Sequence, residues 1–215
     1  AASDVYKRQS LSWKKHWQPD PVGERLLILP AWLDVPDEHA QRLVLRMDPG
    51  SAFGTGSHPT TRLCLEALEQ QPPSGLRVAD LGCGSGVLGL AALGLGARQV
   101  LSVDTDSLAV RATTDNAVLN DRSVDALRVS QGSVEVLATL LEGQPADLLL
   151  CNILAPVIEA LAPHFQSVLR PGGRGLLSGL LVEQAPRLIE VLGSLGWSAE
   201  PLAEQGRWGL LKIRR

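Results

Sequence analysis

Val78-Ala79-Asp80-Leu81-Gly82-Cys83-Gly84-Ser85-Gly86-Val87-Leu88 reads as an apolar strand, a glycine-rich corner and the start of an apolar helix. Glycines at alternate positions let the chain turn with positive φ and leave room where a Cβ would block an approaching ligand. A helix opening directly after them aims unpaired N–H groups at the same place. The stretch therefore predicts a binding corner at the carboxyl end of the first strand of an open α/β sheet. A purely structural corner without a ligand is the competing reading.

The ligand class turns on Asp80. Gly84-Ser85-Gly86-Val87-Leu88-Gly89 also satisfies the G-x-G-x-x-G dinucleotide fingerprint, with Asp104 at the position of a ribose-binding acid. Asp80, however, closes the strand just where a dinucleotide would bring an anionic pyrophosphate. Two unit charges ~6 Å apart at an effective dielectric of ~20 interact by roughly 3 kcal/mol. That repulsion disfavours pyrophosphate and favours a cationic ligand such as S-adenosylmethionine, which carries a sulfonium and an ammonium. A nicotinamide-dependent dehydrogenase is the alternative enzyme class.

Downstream, the apolar helix over 87–95 is stopped by Gly96, and Gln99–Asp104 is a second strand ending in an acid whose carboxylate can accept both hydroxyls of a ribose. Asp104 could instead cap a helix, but Asp106 and Ser107 already supply caps. A helix over 108–119 and a short strand at Leu127-Arg128-Val129 follow. The run from Ala146 to Pro156 reads as a strand and its exit loop, almost continuously apolar as expected for a strand covered on both faces, so Asn152 emerges at the ligand edge. Its amide both donates and accepts there, or it caps the next helix. Ile158, Leu161, Phe165 and Leu169 extend a helical stripe that Pro163 kinks or restarts. Pro171-Gly172-Gly173 predicts a tight turn into a strand at 176–181, and a helix over 186–195 is stopped by Gly196. Trp197 onward and 208–213 form two final strands close enough in sequence to pair as a hairpin. The fold class is α/β, a doubly wound, mostly parallel sheet with an antiparallel edge strand.

Upstream, residues 1–12 have no usable periodicity, and 13–50 read as a linker and N-terminal extension with a short buried strand at 26–29, stopped by Pro30, and a second short apolar run at 43–47. Trp13 and Trp17 have the spacing of one helix face, and the Lys14, Lys15 and His16 cluster beside them reads as solvated surface. The stretch from Asp48 to Thr61 is a long loop of turn formers, a type that is usually functional or disordered. Ser57 is the expected cap of the next helix, with Pro59 in its first turn. Thr61, Cys64, Leu65 and Leu68 recur at helical spacing, so Thr61 leads the buried stripe toward the sheet end. His58 reads as a hydrogen bonder beside the cap. Phe53 either stacks on an adenine or pins the loop.

The 215 residues are 45% hydrophobic and 20% charged, with a net charge of -3, an ordinary globular balance that argues against a broad electrostatic footprint for nucleic acid. Cys64, Cys83 and Cys151 have no C-x-x-C spacing, so neither a disulfide framework nor a zinc site is expected; they read as reduced core residues of a cytoplasmic protein. The longest apolar run, 87–97, is too short to span a bilayer, and no segment has the plan of a signal peptide.

Asp80-Leu81-Gly82-Cys83-Gly84-Ser85-Gly86 with Asp104 resembles the S-adenosylmethionine site of class I methyltransferases. Phe53-Gly54-Thr55-Gly56-Ser57-His58-Pro59-Thr60-Thr61, Asn152-Ile153-Leu154-Ala155 and Leu177-Ser178-Gly179-Leu180-Leu181 resemble a narrower group, the bacterial methyltransferases of large-subunit ribosomal protein eleven, from about Trp13 to the C-terminus. The resemblance implies a seven-stranded sheet and transfer of methyl groups from S-adenosylmethionine to lysine ε-amines and the N-terminal α-amine of that protein, up to the trimethylated state. The family's cofactor positions fall on Thr61, Gly82, Asp104 and Asn152; Phe53, Asp80 and Gly84 join them from the residue-level reading. Asn152 and the Ile153 carbonyl are the expected catalytic groups. No metal is expected. The partner is the ribosomal protein, with no direct nucleic-acid contact, no membrane and a monomeric enzyme. The chain departs from the family at Ser57, commonly threonine, and at Asp106-Ser107, often Asp-Pro. The methyltransferase domain is expected over 51–215. The family also carries an N-terminal substrate-recognition domain that the residues before Trp13 are too few to form, so a truncated cofactor-binding module and a class I methyltransferase acting on another protein, RNA or a small molecule stay open.

Overall fold

The computed structural model describes residues 17–48 and 56–215. Seven strands form the main sheet: β4 (Arg77–Leu81), β5 (Gln99–Asp104), β6 (Leu127–Gln131), β7 (Ala146–Asn152), β8 (Leu169–Leu181), β9 (Ser198–Gln205) and β10 (Trp208–Arg214). Their spatial order is β6-β5-β4-β7-β8-β10-β9. The pairs from β6 through β8 are parallel, and β10 runs antiparallel to both β8 and β9, so the expected hairpin closes one edge of the sheet. The reversal of strand order between β4 and β7 opens a crevice at their carboxyl ends.

Helices α1 (Pro59–Gln70), α2 (Val87–Gly94) and α3 (Ser107–Leu119) connect the first strands, and α4 (Val134–Leu140), α5 (Ala155–Leu161) and α6 (Ala185–Ser194) follow. Two apolar cores result. Val78, Val100 and Leu148 pack with Leu65, Leu68 and Leu90 on one face, and Ala79, Leu101 and Leu149 pack with Leu137, Ile158 and Leu188 on the other. Alternate residues of each strand serve opposite faces, which is why the central strands are apolar without interruption. Helix α2 is buried from Val87 through Leu93, and Gly96, at φ 100°, ends the following turn.

Residues 20–47, read in the sequence as linker and extension, form a three-stranded sheet of β1 (Asp20–Val22), β2 (Leu26–Pro30) and β3 (Leu43–Met47). Val22, Leu26, Ile28, Leu45 and Met47 join the first core. The Glu69 carboxylate of α1 accepts the Glu24 and Arg25 N–H groups at 2.7 and 3.1 Å, and Arg62 pairs with Asp20 at 2.8 Å.

Three local expectations are corrected. His58, not Ser57, is the N-cap of α1, because its Nδ1 accepts from Thr60 N at 3.4 Å and shares a 2.8 Å hydrogen bond with Thr60 Oγ1. Leu169 belongs to β8, since the stripe leaves helix at Leu161 and passes through a 3-10 segment, Ala162–Ser167. Pro171-Gly172-Gly173 is an irregularity inside β8: the pairing with β7 steps from Ala146↔Leu169 to Leu148↔Arg174. Trp13, Lys14, Lys15, His16 and Phe53 lie outside the described residues. Among the described residues no helix is long and apolar enough to cross a membrane, and no group of His, Cys, Asp and Glu could hold a metal ion.

Candidate active site

The glycine corner at the end of β4 is held by its neighbours' backbone and by α3. Gly82, Gly84 and Gly86 have φ of 78°, 57° and 82°. Gly82 and Cys83 donate to the Val103 carbonyl at 2.9 and 3.0 Å, and Gly84 N donates to Asp104 Oδ2 at 2.9 Å. The carbonyls are tied to α3: Thr113 Oγ1 donates to Gly84 O at 3.0 Å and Asn116 Nδ2 to Ser85 O at 2.9 Å. A Cβ on Gly86 would lie 2.8 Å from Thr113 Cγ2, so the corner and α3 approach as only glycine permits.

Among the described residues, cavities open at the carboxyl ends of β4, β5 and β7. One of about 240 Å³ is lined by Gly82, Gly84, Asp104, Ser133, Asn152 and Ile153 among others. The second, about 510 Å³, is bordered by His58, Thr60, Leu154, Gly179 and Trp208, and again by Asn152 and Ile153. The His58 and Trp208 rings meet edge to face at 4.9 Å. Asn152 and Ile153, with Val157, thus border both the cleft that Asp104 lines and an apolar chamber.

Asp104 stands at the tip of β5 with its carboxylate fixed from two sides, Oδ2 by Gly84 N and Oδ1 by Asp106 N at 3.0 Å. Each oxygen keeps a lone pair for a hydroxyl in the cleft. Asn152 donates through Nδ2 to Thr61 Oγ1 at 3.3 Å, which leaves Oδ1 as its acceptor. Thr61 is fully buried and supports Asn152 from behind.

Asp80 is placed differently from its neighbours. It is 1% exposed, lies outside the cleft lining and points toward Gly89, with Oδ2 unpartnered beside the unpartnered Ser102 Oγ. Burial first, then the Asp104 charge, pushes its carboxyl up to about 7, against a hydrogen bond from the Gly89 backbone. Burial likewise pushes the Cys64 thiol up to about 12 and raises Cys83 and Cys151, so none of the three is a thiolate nucleophile at neutral pH.

Residues 9–215 match the family described as Ribosomal protein L11 methyltransferase (PrmA). The chain belongs to the ribosomal protein L11 methyltransferase family. A relative of that name from Parasynechococcus marenigrum (strain WH8102) is 75% identical over 206 residues, 96% of this chain and 71% of the relative. The crystal structure of a ribosomal protein L11 methylase from Lactobacillus delbrueckii subsp. bulgaricus superposes with a TM-score of 0.80 at 32% identity, covering 93% of this chain and 99% of that one. The 16S rRNA N2 G1207 methyltransferase of T. thermophilus, solved with AdoMet and guanosine, shares the fold at a TM-score of 0.60 and 24% identity over 76% of this chain and 45% of its own.

Against this L11 methyltransferase framework, the structure brings Gly82, Gly84, Asp104, Asn152 and Ile153 to one cleft, with Thr61 behind Asn152 and Asp80 behind the floor. Sequence reading missed Thr105, Gly132, Ser133 and Val157 in the same lining. For Thr105, Gly132 and Ser133 the signal was position: every parallel strand ends at the same edge, so the residues just past β5 and β6 had to arrive beside those past β4, whereas Val157 comes from within α5. Trp208 was visible only as a strand residue, since its meeting with His58 depends on β10 lying against β8.

Proposed function

We propose that this chain uses S-adenosylmethionine to methylate lysine ε-amines and the N-terminal α-amine of ribosomal protein L11. The observation that carries the reading is the shared wall: Asn152 and Ile153 border both the cleft of Gly82, Gly84 and Asp104 and the apolar chamber of His58 and Trp208. Gly82, Gly84, Asp104 and Asn152 would hold the cofactor, with the Asp104 oxygens accepting the ribose hydroxyls. Asp80 lies behind the cleft floor, outside its lining. When bound, the cofactor supplies a methyl already activated by a sulfonium.

The chain's residues then have to deliver a neutral amine in line with the bond to be broken. A lysine amine with pKa ~10.4 is protonated in water. An apolar chamber disfavours its charged form and lowers that pKa. The Asn152 Oδ1 and the Ile153 carbonyl accept the amine's hydrogens and turn its lone pair toward the cleft. An amide is far too weak a base to take the proton, which leaves through water. We assign residues 51–215 to the methyltransferase domain, and a monomer in the cytoplasm is the working state, in keeping with three free, buried cysteines. Peptide mapping by mass spectrometry of L11 incubated with the chain and S-adenosylmethionine tests the reading: methyl groups on lysine and N-terminal amines support it, and unmodified amines or methylation confined to other side chains refute it.

A further inference from the structure

Ile153 stands one residue beyond the end of the β7–β8 ladder, whose last pair is Asn152↔Ser178. Two glycines press on it, one from the corner after β4 and one from β8. Gly82, at φ 78°, faces its side chain so closely that a Cβ there would overlap Ile153 Cγ2. Gly179, at φ 86°, faces its backbone: a Cβ would fall 2.7 Å from the Ile153 carbonyl carbon and 3.0 Å from its nitrogen, and closer still to its oxygen. The backing of Gly179 is firm. Ser178 is fully buried and its Oγ donates to Gly209 O on β10 at 3.1 Å.

We propose that Gly179 is a positioning residue for methyl transfer: its bare Cα is the stop against which the Ile153 carbonyl is set at the amine's place. The inference rests on the reading of that carbonyl as an acceptor of the substrate amine. A flexible side chain could yield to a Cβ; the backbone of Ile153, fixed between β7 and α5, yields only by moving the carbonyl itself. Gly82 has no such hold on the carbonyl, because it touches the side chain.

The test compares Gly179→Ala with Gly196→Ala. Gly196 has a φ of 84° and nothing within 4 Å of its missing Cβ, so G196A carries the same backbone strain without the contact. Sites are counted by calorimetric titration with S-adenosylhomocysteine, and turnover of L11 is expressed per binding site. Since a displacement of about 1 Å can cost on the order of 100-fold, G179A should lose about that factor in kcat. KM for L11 and affinity for S-adenosylhomocysteine should stay within about threefold, the signature of an interaction made only in the transition state. G196A should match the unsubstituted chain on all three. Equal kcat for G179A and the unsubstituted chain overturns the proposal, as does loss of S-adenosylhomocysteine binding in a G179A protein with native circular dichroism. If G179A does not fold, Ser178→Ala, which releases the tie to Gly209 without adding an atom, should lower kcat with cofactor affinity intact, and an unaltered kcat overturns the proposal. If the unsubstituted chain shows no turnover, the proposed function fails independently of this inference. The inference is then read from the ¹³C resonance of the Ile153 carbonyl, which G179A should shift and G196A should not; an unshifted resonance in G179A contradicts it.

Discussion

The Thr61 hydroxyl accepts a hydrogen bond from Asn152 Nδ2 at 3.3 Å, joining the first turn of α1 to the tip of β7 across 91 residues of chain. The contact fixes which way the amide faces: with its nitrogen held by a buried hydroxyl, its oxygen is the end presented to the two cavities. Thr61→Val keeps the shape and removes the acceptor, so the half-buried Asn152 amide loses the partner that orients it. Turnover should fall about tenfold, roughly 1.4 kcal/mol of barrier. Cofactor affinity should change much less, because Thr61 does not line the cleft. Calorimetry beside steady-state kinetics checks this.

Removing the amide itself should be more severe. Asn152→Ala is expected to lower kcat by about 100-fold or more, as for other aligned hydrogen-bonding groups, with a smaller loss of cofactor affinity. If affinity collapsed while turnover at saturation survived, Asn152 would be a cofactor ligand and not an amine-orienting group.

Asp80 gives the protein a pH-dependent stability of definite sign. Its carboxyl is raised to about 7 by burial and by Asp104. The folded state therefore binds this proton more tightly than the unfolded chain, whose aspartates titrate near 3.9. The preference for the folded state is complete below that unfolded value and is lost as the pH rises toward 7. Asp80→Asn should flatten the decline between about pH 4 and 7 and should gain stability relative to the unsubstituted chain at pH 8. Urea denaturation at pH 5 and pH 8 reads both, and an unaltered slope would mean that the Asp80 carboxyl is paired and ionised throughout.

Helix α3 fastens the glycine corner to the N-terminal sheet. Asn116 donates to Ser85 O at 2.9 Å and accepts from Asp48 N at 2.9 Å, while Asn120 accepts from Arg46 N at 2.9 Å and donates to Arg46 O at 2.7 Å. Asn116→Leu leaves both Ser85 O and Asp48 N without these partners and should destabilise the fold by about 1–3 kcal/mol. Thermal unfolding checks it; a Tm equal to that of the unsubstituted chain would show that water replaces the side chain at no cost.

The central strands were legible in the sequence because nothing competes with their pattern. Gln99–Asp104 has in the structure the bounds read from the sequence, and the strand read at the head of the 146–156 run ends at Asn152. The glycine corner and the acid at Asp104 were equally plain, since each has a local geometric cause. What depends on distant partners was not. The three residues of β1 have no periodicity of their own and gain their place through β2 and the reach of Arg62 to Asp20. The choice of His58 over Ser57 as cap depends on an imidazole that also meets Trp208, 150 positions away in the chain. Thr113, Asn116 and Asn120 did carry a sign: polar residues of modest helix propensity repeating along one face of α3, the face a helix normally makes apolar. The placement of Asp80 behind the cleft followed from strand alternation, which puts it on the α2 side with Val78.

Asp104 bears most directly on what the cleft accepts. Its two oxygens are fixed by the Gly84 and Asp106 N–H groups; on the proposed reading they accept the ribose hydroxyls, so Asp104→Ala should weaken cofactor binding by about 1.5–3 kcal/mol, the range for hydrogen bonds to a charged group. Calorimetric titration of the chain and of this variant with S-adenosylmethionine and with NAD is the decisive measurement. Saturable binding of S-adenosylmethionine that weakens in Asp104→Ala, with no heat from NAD, is the predicted result. Binding of NAD in preference, or S-adenosylmethionine affinity indifferent to Asp104, would contradict the claim that this cleft is built for a cationic methyl donor.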